Sequence, residues 1–343
     1  MIDENNLKLK LVYILGLRDV VLSEIKDKTN FVIFNEGKDS FYLNYADDFK
    51  EINKLKTVAK AYLVSRNTKY NPLYISNHKS VLGKLIEIIF SKNEKSVFKT
   101  FKINCAGSDS NEVLEIKEYI SNEFKIDESE EADLKINIVK NNDVWEISIQ
   151  ITPRPLSLRD YKVKNMSGAM DPTIAYSLNY LCHLEKYSTY LNIFSGSATL
   201  MIEAGLNYKN LEKIIGFDNN KEHLSLSIQN IKKAGLITKA EVKEFDIFDD
   251  PAIGKFDVIT SDLPFGMAIS KGEDLESLYK KFINYCEKTL NQNGILGVYT
   301  SEFKKFENLI SDSSFKLEKE VKISLITNEE LYLPVKILVF SLK

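Results

Sequence analysis

The sequence is short of cysteine, histidine and long apolar runs, and each shortage excludes a class of protein. Its 343 residues include three histidines and three cysteines, which are Cys105, Cys182 and Cys286. Because these side chains are far apart and show no ligand spacing, we expect neither disulfides nor a metal site. No run of 18 apolar residues appears, and residues 1–6 lack the basic and apolar regions of a signal peptide. We therefore expect a cytoplasmic protein with no membrane partner.

An excess of one charge is also missing overall, but the local balance is uneven. The formal net charge is −3. Residues 50–102 hold 12 basic and 3 acidic side chains, whereas residues 109–133 hold 10 acidic and 2 basic ones. A basic stretch of this kind is typical of a surface that binds a phosphate backbone. The alternative is a lysine-rich surface that is merely solvated, and charge alone does not decide between them.

The N-terminal half has the pattern of two small α+β modules. Residues 9–15 predict a strand, a short helix follows Gly16, and a hairpin crosses residues 31–45. A helix and a strand follow, up to a polar stretch near residue 70 that is a candidate boundary. Residues 72–152 then predict an α-β-α-β-β module that carries much of the charge asymmetry.

The C-terminal half alternates regularly between strands and helices. Asp171-Pro172 predicts a helix start, with an aspartate cap and a proline in the first turn. Predicted strands follow at residues 190–194, 213–217, 241–245, 256–261 and 295–300, with helices between most of them. This alternation predicts an α/β fold with a doubly wound parallel sheet. Residues 315–326 and 331–342 predict a closing antiparallel hairpin.

Three predicted strands of this sheet end in a carboxylate, at Asp218, Asp246 and Asp262. Ligands bind at the carboxyl edge of open α/β sheets. There Asp218 can accept from both hydroxyls of a ribose, and Asp246 can accept from an exocyclic amine such as that of adenine. Each aspartate alone is more often a cap or a turn former, but three at one edge favour a ligand site.

The first strand ends in a turn of small residues around Gly196, at residues 192–200. A dinucleotide fingerprint needs two further glycines that this turn lacks, so pyrophosphate binding is disfavoured. Residues 261–266 form another candidate site, where a carboxylate, a proline-stiffened turn, an aromatic ring and a glycine follow a buried strand. Such a set can hold a flat, amine-bearing ring. The alternative is an ordinary turn.

Residues 153–164 contain two prolines and no clean period, which predicts a linker. Its cations are candidates for RNA contact or for mere solubility. They are Arg154, Arg159, Lys162 and Lys164.

Four motifs together resemble those of class I S-adenosylmethionine-dependent methyltransferases. They are residues 192–203, Gly216-Phe217-Asp218, Phe245-Asp246 and Asp262-Leu263-Pro264-Phe265-Gly266. The arrangement is similar, over nearly the whole chain, to the THUMP-containing tRNA guanine-N2 methyltransferases, and Gly16-Leu17-Arg18-Asp19-Val20-Val21 matches their opening Gly-Leu-x-x-x-Val pattern. Family members often carry Asp, Cys, Gly and Pro where this chain has Asn192, Ser195, Ala198 and Leu263.

The resemblance implies a domain order and a reaction. Residues 1–70 would be a ferredoxin-like domain, 71–152 an RNA-binding THUMP domain, 153–170 a linker and 171–343 a Rossmann-like methyltransferase domain. The reaction would be methyl transfer from S-adenosylmethionine to the exocyclic N2 of a guanosine in tRNA, at position 6 first and position 10 next. We also expect a monomer.

The resemblance also implies roles for individual residues. Asp262, Leu263, Pro264 and Phe265 would be catalytic, and Arg154, Arg159, Lys162 and Lys164 would contact RNA. The cofactor would be bound by Asn192, Phe194, Ser195, Gly196, Ser197, Thr199, Glu203, Asp218, Asn219, Asp246, Ile247 and Asp262.

Other functions remain open at this point. They are methylation of an rRNA guanine or another amino group, RNA binding without catalysis, and nicotinamide-dependent oxidoreduction. A nicotinamide-dependent oxidoreductase would give no role to residues 262–265. The three intact strand-end aspartates argue against an RNA-binding protein that has lost its catalytic activity.

Overall fold

The computed structural model describes residues 7–45, 49–67, 71, 75–93, 97–141, 144–264, 274–326 and 332–343. It divides into two compact units near residue 157. The first holds residues 1–13 and 21–157, and the second holds residues 14–20 and 158–343. In the described part of the chain, no helix is long and apolar enough to cross a membrane.

The N-terminal unit is built on one sheet of eight strands. Its elements are β1 (Leu7–Tyr13), α1 (Arg18–Lys28), β2 (Ile33–Glu36), β3 (Ser40–Asn44), β4 (Val58–Asn67), α2 (Ile75–Lys92), β5 (Thr100–Cys105), α3 (Asn111–Phe124), β6 (Asp127–Glu128), β7 (Leu134–Asn141) and β8 (Val144–Gln150), with a 3₁₀ helix at Phe49–Lys54. Helix α1 begins in the stretch assigned to the second unit. The strand order is β2-β3-β1-β4-β8-β7-β5-β6.

This sheet joins the two modules that the sequence predicts separately. Strand β4 pairs with β8 in antiparallel register, with Tyr62 opposite Gln150. Strands on both sides of residue 70 therefore share one hydrogen-bonded ladder. The assignment of residues 1–70 and 71–152 as ferredoxin-like and THUMP domains stays a prediction.

The C-terminal unit has the predicted alternation of strands and helices. Its elements are α4 (Pro172–Leu181), β9 (Thr189–Ile193), α5 (Thr199–Asn207), β10 (Lys213–Asp218), α6 (Lys221–Lys233), β11 (Ala240–Glu244), β12 (Phe256–Asp262), α7 (Leu275–Thr289), β13 (Leu290–Thr300), α8 (Phe303–Ile310), β14 (Phe315–Ile326) and β15 (Tyr332–Leu342), with 3₁₀ helices at Leu184–Lys186 and Ile247–Asp249. The aspartate cap is confirmed, because the Asp171 side chain accepts from the Thr173 N–H.

The sheet of this unit has the strand order β11-β10-β9-β12-β13-β15-β14. Strands β9 to β13 are parallel, and the hairpin β14–β15 adds two antiparallel strands, as predicted. The chain passes outward from β9 to β10 and β11, then returns to the other side of β9 at β12. The crevice between β9 and β12 is therefore the topological switch point, where ligands bind in open α/β sheets.

Gly16, the glycine of the opening motif, lies in a close backbone contact within the second unit. Gly16 has φ +105, and a Cβ there would lie 2.0 Å from the Lys322 carbonyl oxygen. The Leu15 carbonyl accepts from the Ser324 N–H at 3.1 Å. Residues 14–20 thus pack against β14, and only glycine fits the close approach.

Candidate active site

The loop after β9 is a tight turn with three left-handed residues. Phe194, Gly196 and Ala198 have φ of 58, 52 and 67. The Ser195 N–H donates to the Phe217 carbonyl at 3.0 Å, and the Ala198 N–H donates back to the Ser195 carbonyl at 2.8 Å. A non-glycine residue in this region is uncommon and carries strain. The loop is therefore held in a specific shape beside the switch point.

Three buried polar atoms at this edge have no hydrogen-bond partner in the part of the chain that the structure describes. They are Asn192 Oδ1, Ser195 Oγ and Asp262 Oδ1. Such an atom typically costs about 1–3 kcal/mol when buried unpaired. Asn192 and Asp262 lie at the ends of the neighbouring strands β9 and β12. Unpaired groups clustered at a switch point indicate a site built for a polar ligand.

Asp218 ends β10 and is tied to the loop after β9. Its Oδ2 accepts from the Gly196 N–H at 2.9 Å, and its Oδ1 accepts from the Asn220 N–H at 3.0 Å. His223 Nδ1 lies 3.2 Å from the same Oδ1. A carboxylate has about four acceptor positions, so Asp218 keeps capacity for a ligand. His223 was not predicted as a site residue from the sequence. Its position in the first turn of α6, five residues after Asp218, could have indicated this contact.

Asp246 and Asn219 connect the ends of β10 and β11. Asp246 Oδ1 accepts from the Phe248 N–H at 2.9 Å, which caps the short 3₁₀ helix. Its Oδ2 accepts from the Asn219 side-chain amide at 3.1 Å. Ile247 is buried, whereas Phe248 is exposed. Asp246 therefore has a capping role, and its contact with adenine stays a prediction.

Thr199 is the first residue of α5, and its hydroxyl oxygen lies 3.2 Å from that of Ser197 in the preceding loop. The buried side-chain amide of Asn230, on α6, forms hydrogen bonds with this loop and with the linker. Its Nδ2 donates to the Ser197 carbonyl at 3.1 Å and to the Lys164 carbonyl at 3.0 Å. Its Oδ1 accepts from the Lys164 N–H at 2.9 Å. Asn230 thus joins the loop to the preceding linker.

Glu203 has a structural explanation that the sequence did not reveal. Its carboxylate is 1% exposed and accepts from Arg159 Nε at 3.0 Å and from the Tyr161 hydroxyl at 2.7 Å. The Asn207 amide also donates to it, at 3.2 Å. Glu203 fastens the linker to α5. The cofactor contact predicted for Glu203 and the RNA contact predicted for Arg159 stay predictions.

The other linker cations differ in their surroundings. Lys162 Nζ donates to the Met170 carbonyl at 3.0 Å, and burial lowers the pKa of Lys162. The side chains of Lys164 and Arg154 are exposed. Exposure suits Lys164 and Arg154 for RNA contact, whereas Lys162 turns inward.

The predicted catalytic stretch follows β12. Asp262 pairs with Tyr299 of β13, and the Leu263 N–H donates to the Tyr299 carbonyl at 3.0 Å. Burial raises the pKa of Asp262 to about 7. Leu263 is fully buried and Pro264 is half-buried. The fourth predicted residue, Phe265, lies outside the described residues.

The match to a known family comes from the segment that contains this site. Residues 159–328 match the UPF0020 family, an RMKL-like methyltransferase domain. This segment is a UPF0020 methyltransferase domain. The predicted resemblance to class I methyltransferases is thereby confirmed for the C-terminal unit.

Curated relatives and solved structures agree with this assignment. A tRNA (guanine(6)-N2)-methyltransferase of Methanocaldococcus jannaschii is 25% identical over 210 residues, which cover 49% of this chain and 54% of the relative. A tRNA (guanine(10)-N2)-dimethyltransferase of Methanothermobacter thermautotrophicus is 28% identical over 146 residues, 42% of each protein. The chain thus spans about half the length of these curated relatives in each match.

The likeness in structure extends further than the likeness in sequence. The crystal structure of TrmN from Thermus thermophilus matches with a TM-score of 0.74 and covers 98% of this chain and 100% of that chain, at 18% identity. At this identity the match shows the fold alone, and it confirms the predicted Rossmann-like architecture of the C-terminal unit. In the described residues, no group of three or more His, Cys, Asp or Glu side chains could hold a metal ion.

Proposed function

We propose that this protein transfers a methyl group from S-adenosylmethionine to the exocyclic N2 of a guanosine in tRNA. Position 6 is the first choice and position 10 the second, in line with the names of the two relatives above. One observation carries the proposal: the buried Asp262 Oδ1, which has no hydrogen-bond partner among the described residues, lies at the switch point of a methyltransferase fold. A carboxylate there is placed to accept from an amine.

The residues present fit S-adenosylmethionine, which supplies an electrophilic methyl group when bound. Its amino-acid end is polar and charged, and Asn192 Oδ1 and Ser195 Oγ are unpaired polar atoms among the described residues of the β9 end. Asp218 would accept from the ribose hydroxyls, and Ile247 and Asp246 would flank the adenine. Ala198 has a φ of 67, so the loop adopts the left-handed conformation that favours glycine even with an alanine at this position.

The chain's own residues must make the guanine amine reactive. Its nitrogen lone pair is delocalised into the ring, so the amine is a weak nucleophile. The Asp262 carboxylate and the Leu263 carbonyl would accept the two amine hydrogens and direct the lone pair toward the methyl group. They would also stabilise the positive charge that grows on nitrogen, and that charge is removed when one amine proton leaves after the transfer. A paired N2 cannot meet the methyl in line, so the base leaves the stack, and Phe265 would stack on it.

The test is methylation of purified tRNA. Wild-type protein and Asp262→Ala are incubated with methyl-labelled S-adenosylmethionine and bulk tRNA, and the labelled nucleotide is mapped. We expect label on a guanine N2 with wild type and a loss of roughly a hundredfold or more with the variant. Transcripts with adenosine at position 6 or at position 10 then separate the two sites.

The alternatives give different results when rRNA fragments are incubated in parallel and tRNA binding is measured beside methylation. Label in rRNA fragments and not in tRNA would indicate an rRNA methyltransferase. Binding of tRNA by a protein that methylates no RNA would indicate a non-catalytic RNA-binding protein. Label on an atom other than a guanine N2 would contradict the assigned amine.

A further inference from the structure

The Pro264 carbonyl has a specific partner on helix α7. The Tyr279 hydroxyl donates to the Pro264 carbonyl oxygen at 2.9 Å. Tyr279 is fully buried, and burial raises its pKa to about 12. Its ring meets Phe306 of α8 edge-on, with ring centroids 5.7 Å apart and planes at 85°. The phenol is therefore a rigid, protonated donor aimed at the turn after β12.

This bond completes a set of restraints around the Leu263 carbonyl. On one side, the Leu263 N–H is bound to the Tyr299 carbonyl at 3.0 Å. On the other side, the Pro264 carbonyl is bound to Tyr279, and the proline ring fixes φ between them. The Leu263 carbonyl lies between these two points along the chain. Its direction is therefore set by the sheet on one side and by α7 on the other.

We propose that Tyr279 is a positioning residue for methyl transfer. Its hydroxyl orients the Leu263-Pro264 backbone so that the Leu263 carbonyl can accept from the target amine. This role rests on the proposed function, because it concerns the acceptor of that reaction.

Helix α7 contains a matched control. Tyr285 is also buried, its pKa is also raised to about 12 by burial, and its hydroxyl donates to the Pro251 carbonyl at 2.8 Å. Its ring meets Phe217 edge-on, at 5.8 Å and 88°. Tyr285→Phe therefore removes the same kind of bond, from the same helix to a proline carbonyl, at a turn away from residues 262–264.

The experiment compares Tyr279→Phe, Tyr285→Phe and wild type in the full chain. We expect Tyr279→Phe to lower kcat for tRNA methylation at least about tenfold, since a misplaced reacting group costs up to a hundredfold. The KM values for S-adenosylmethionine and tRNA should stay within about twofold, because the contacts that bind them are intact. Tyr285→Phe should keep the wild-type kcat, although it should lose about as much thermal stability as Tyr279→Phe. Equal kcat values for the two variants would overturn the inference.

Hydrogen exchange gives a readout that does not depend on activity. Peptides that include residue 263 should exchange faster in Tyr279→Phe and unchanged in Tyr285→Phe, because only the first variant loosens the turn. Unchanged exchange in both variants would also overturn the inference. A wild-type protein that methylates no tRNA would refute the proposed function, and the exchange comparison alone would then decide whether Tyr279 holds this turn.

Discussion

The raised pKa of Asp262 predicts that one carboxyl group limits both the stability and the activity of the protein. The substitution that tests it is Asp262→Asn, which keeps the size and one acceptor oxygen but does not titrate. The pKa of Asp262 is raised by burial from 3.8 to about 7. Since each pKa unit is worth about 1.4 kcal/mol, ionisation of Asp262 in the folded protein lowers the free energy of unfolding by up to about 4 kcal/mol. This is an upper limit, because the residue keeps some exposure.

The sign of the stability effect follows from the direction of the pKa change. The folded protein holds the Asp262 proton more tightly than the unfolded chain, so this group favours folding fully below pH 3.8. That contribution is lost as the pH rises through 7. We therefore expect Asp262→Asn to gain stability relative to wild type between pH 5 and pH 8. The measurement is urea unfolding of both proteins across this range, and a constant difference would refute the reasoning.

The activity should change in the opposite direction. The Asp262 carboxylate, which we propose accepts from the amine, is present above pH 7, so wild-type kcat/KM should rise about tenfold per pH unit below 7 and level off above it. This profile reports the free enzyme. Asp262→Asn should show a lower plateau and no acid limb near pH 7. An unchanged acid limb in the variant would assign the titration to another group.

Three further predictions concern binding. Asp218→Ala should weaken binding of S-adenosylmethionine at least about tenfold by calorimetry, since a hydrogen-bonded charged group is worth about 1.5–3 kcal/mol. Asp257→Ala is the control, because Asp257 accepts from the Ser188 and Thr189 N–H groups at the other end of β12. Equal cofactor affinity for both variants would exclude Asp218 from the site. Asn230→Ala should weaken cofactor binding about tenfold through loss of the clamp between Ser197 and Lys164, and a change in thermal stability alone would limit Asn230 to a structural role. Lys60→Glu, at an exposed position of the basic stretch at residues 50–102, should weaken tRNA binding and reduce the salt slope by about one. The exposed Lys232 of α6 provides the charge-matched control, and an equal effect of Lys232→Glu would contradict a specific role of the basic stretch at residues 50–102.

The order of elements could be predicted from the sequence because it depends on local signals. The aspartate cap at Asp171, the alternation of strands and helices, and the hairpin β14–β15 each follow from short-range patterns. Helix α8 was missed because its eight residues offer only about two turns of periodicity.

The contacts that hold the site together could not be predicted in this way. Arg159 and Glu203 are 44 positions apart, and Tyr279 and Pro264 are 15 apart. Hydrophobic periodicity predicts neither pair, because one residue of each pair lies in a loop that has no periodic pattern. The sequence therefore indicated where the carboxylates lie but not which of them were already engaged within the fold.

The two aspartates of β12 show how the fold separates structure from function along one strand. Burial would raise the pKa of Asp257, but hydrogen bonds from Thr189, Asn291 and the backbone outweigh burial and lower it. Asp262, five positions on, is buried without such bonds from the part of the chain that the structure describes, and its pKa is raised. A chain selected for stability alone would satisfy both ends alike. Among the described residues, the carboxylate left without donors is the one at the carboxyl end, at the switch point. A ligand there can provide such donors, so the burial of Asp262 argues for a reacting partner at this edge.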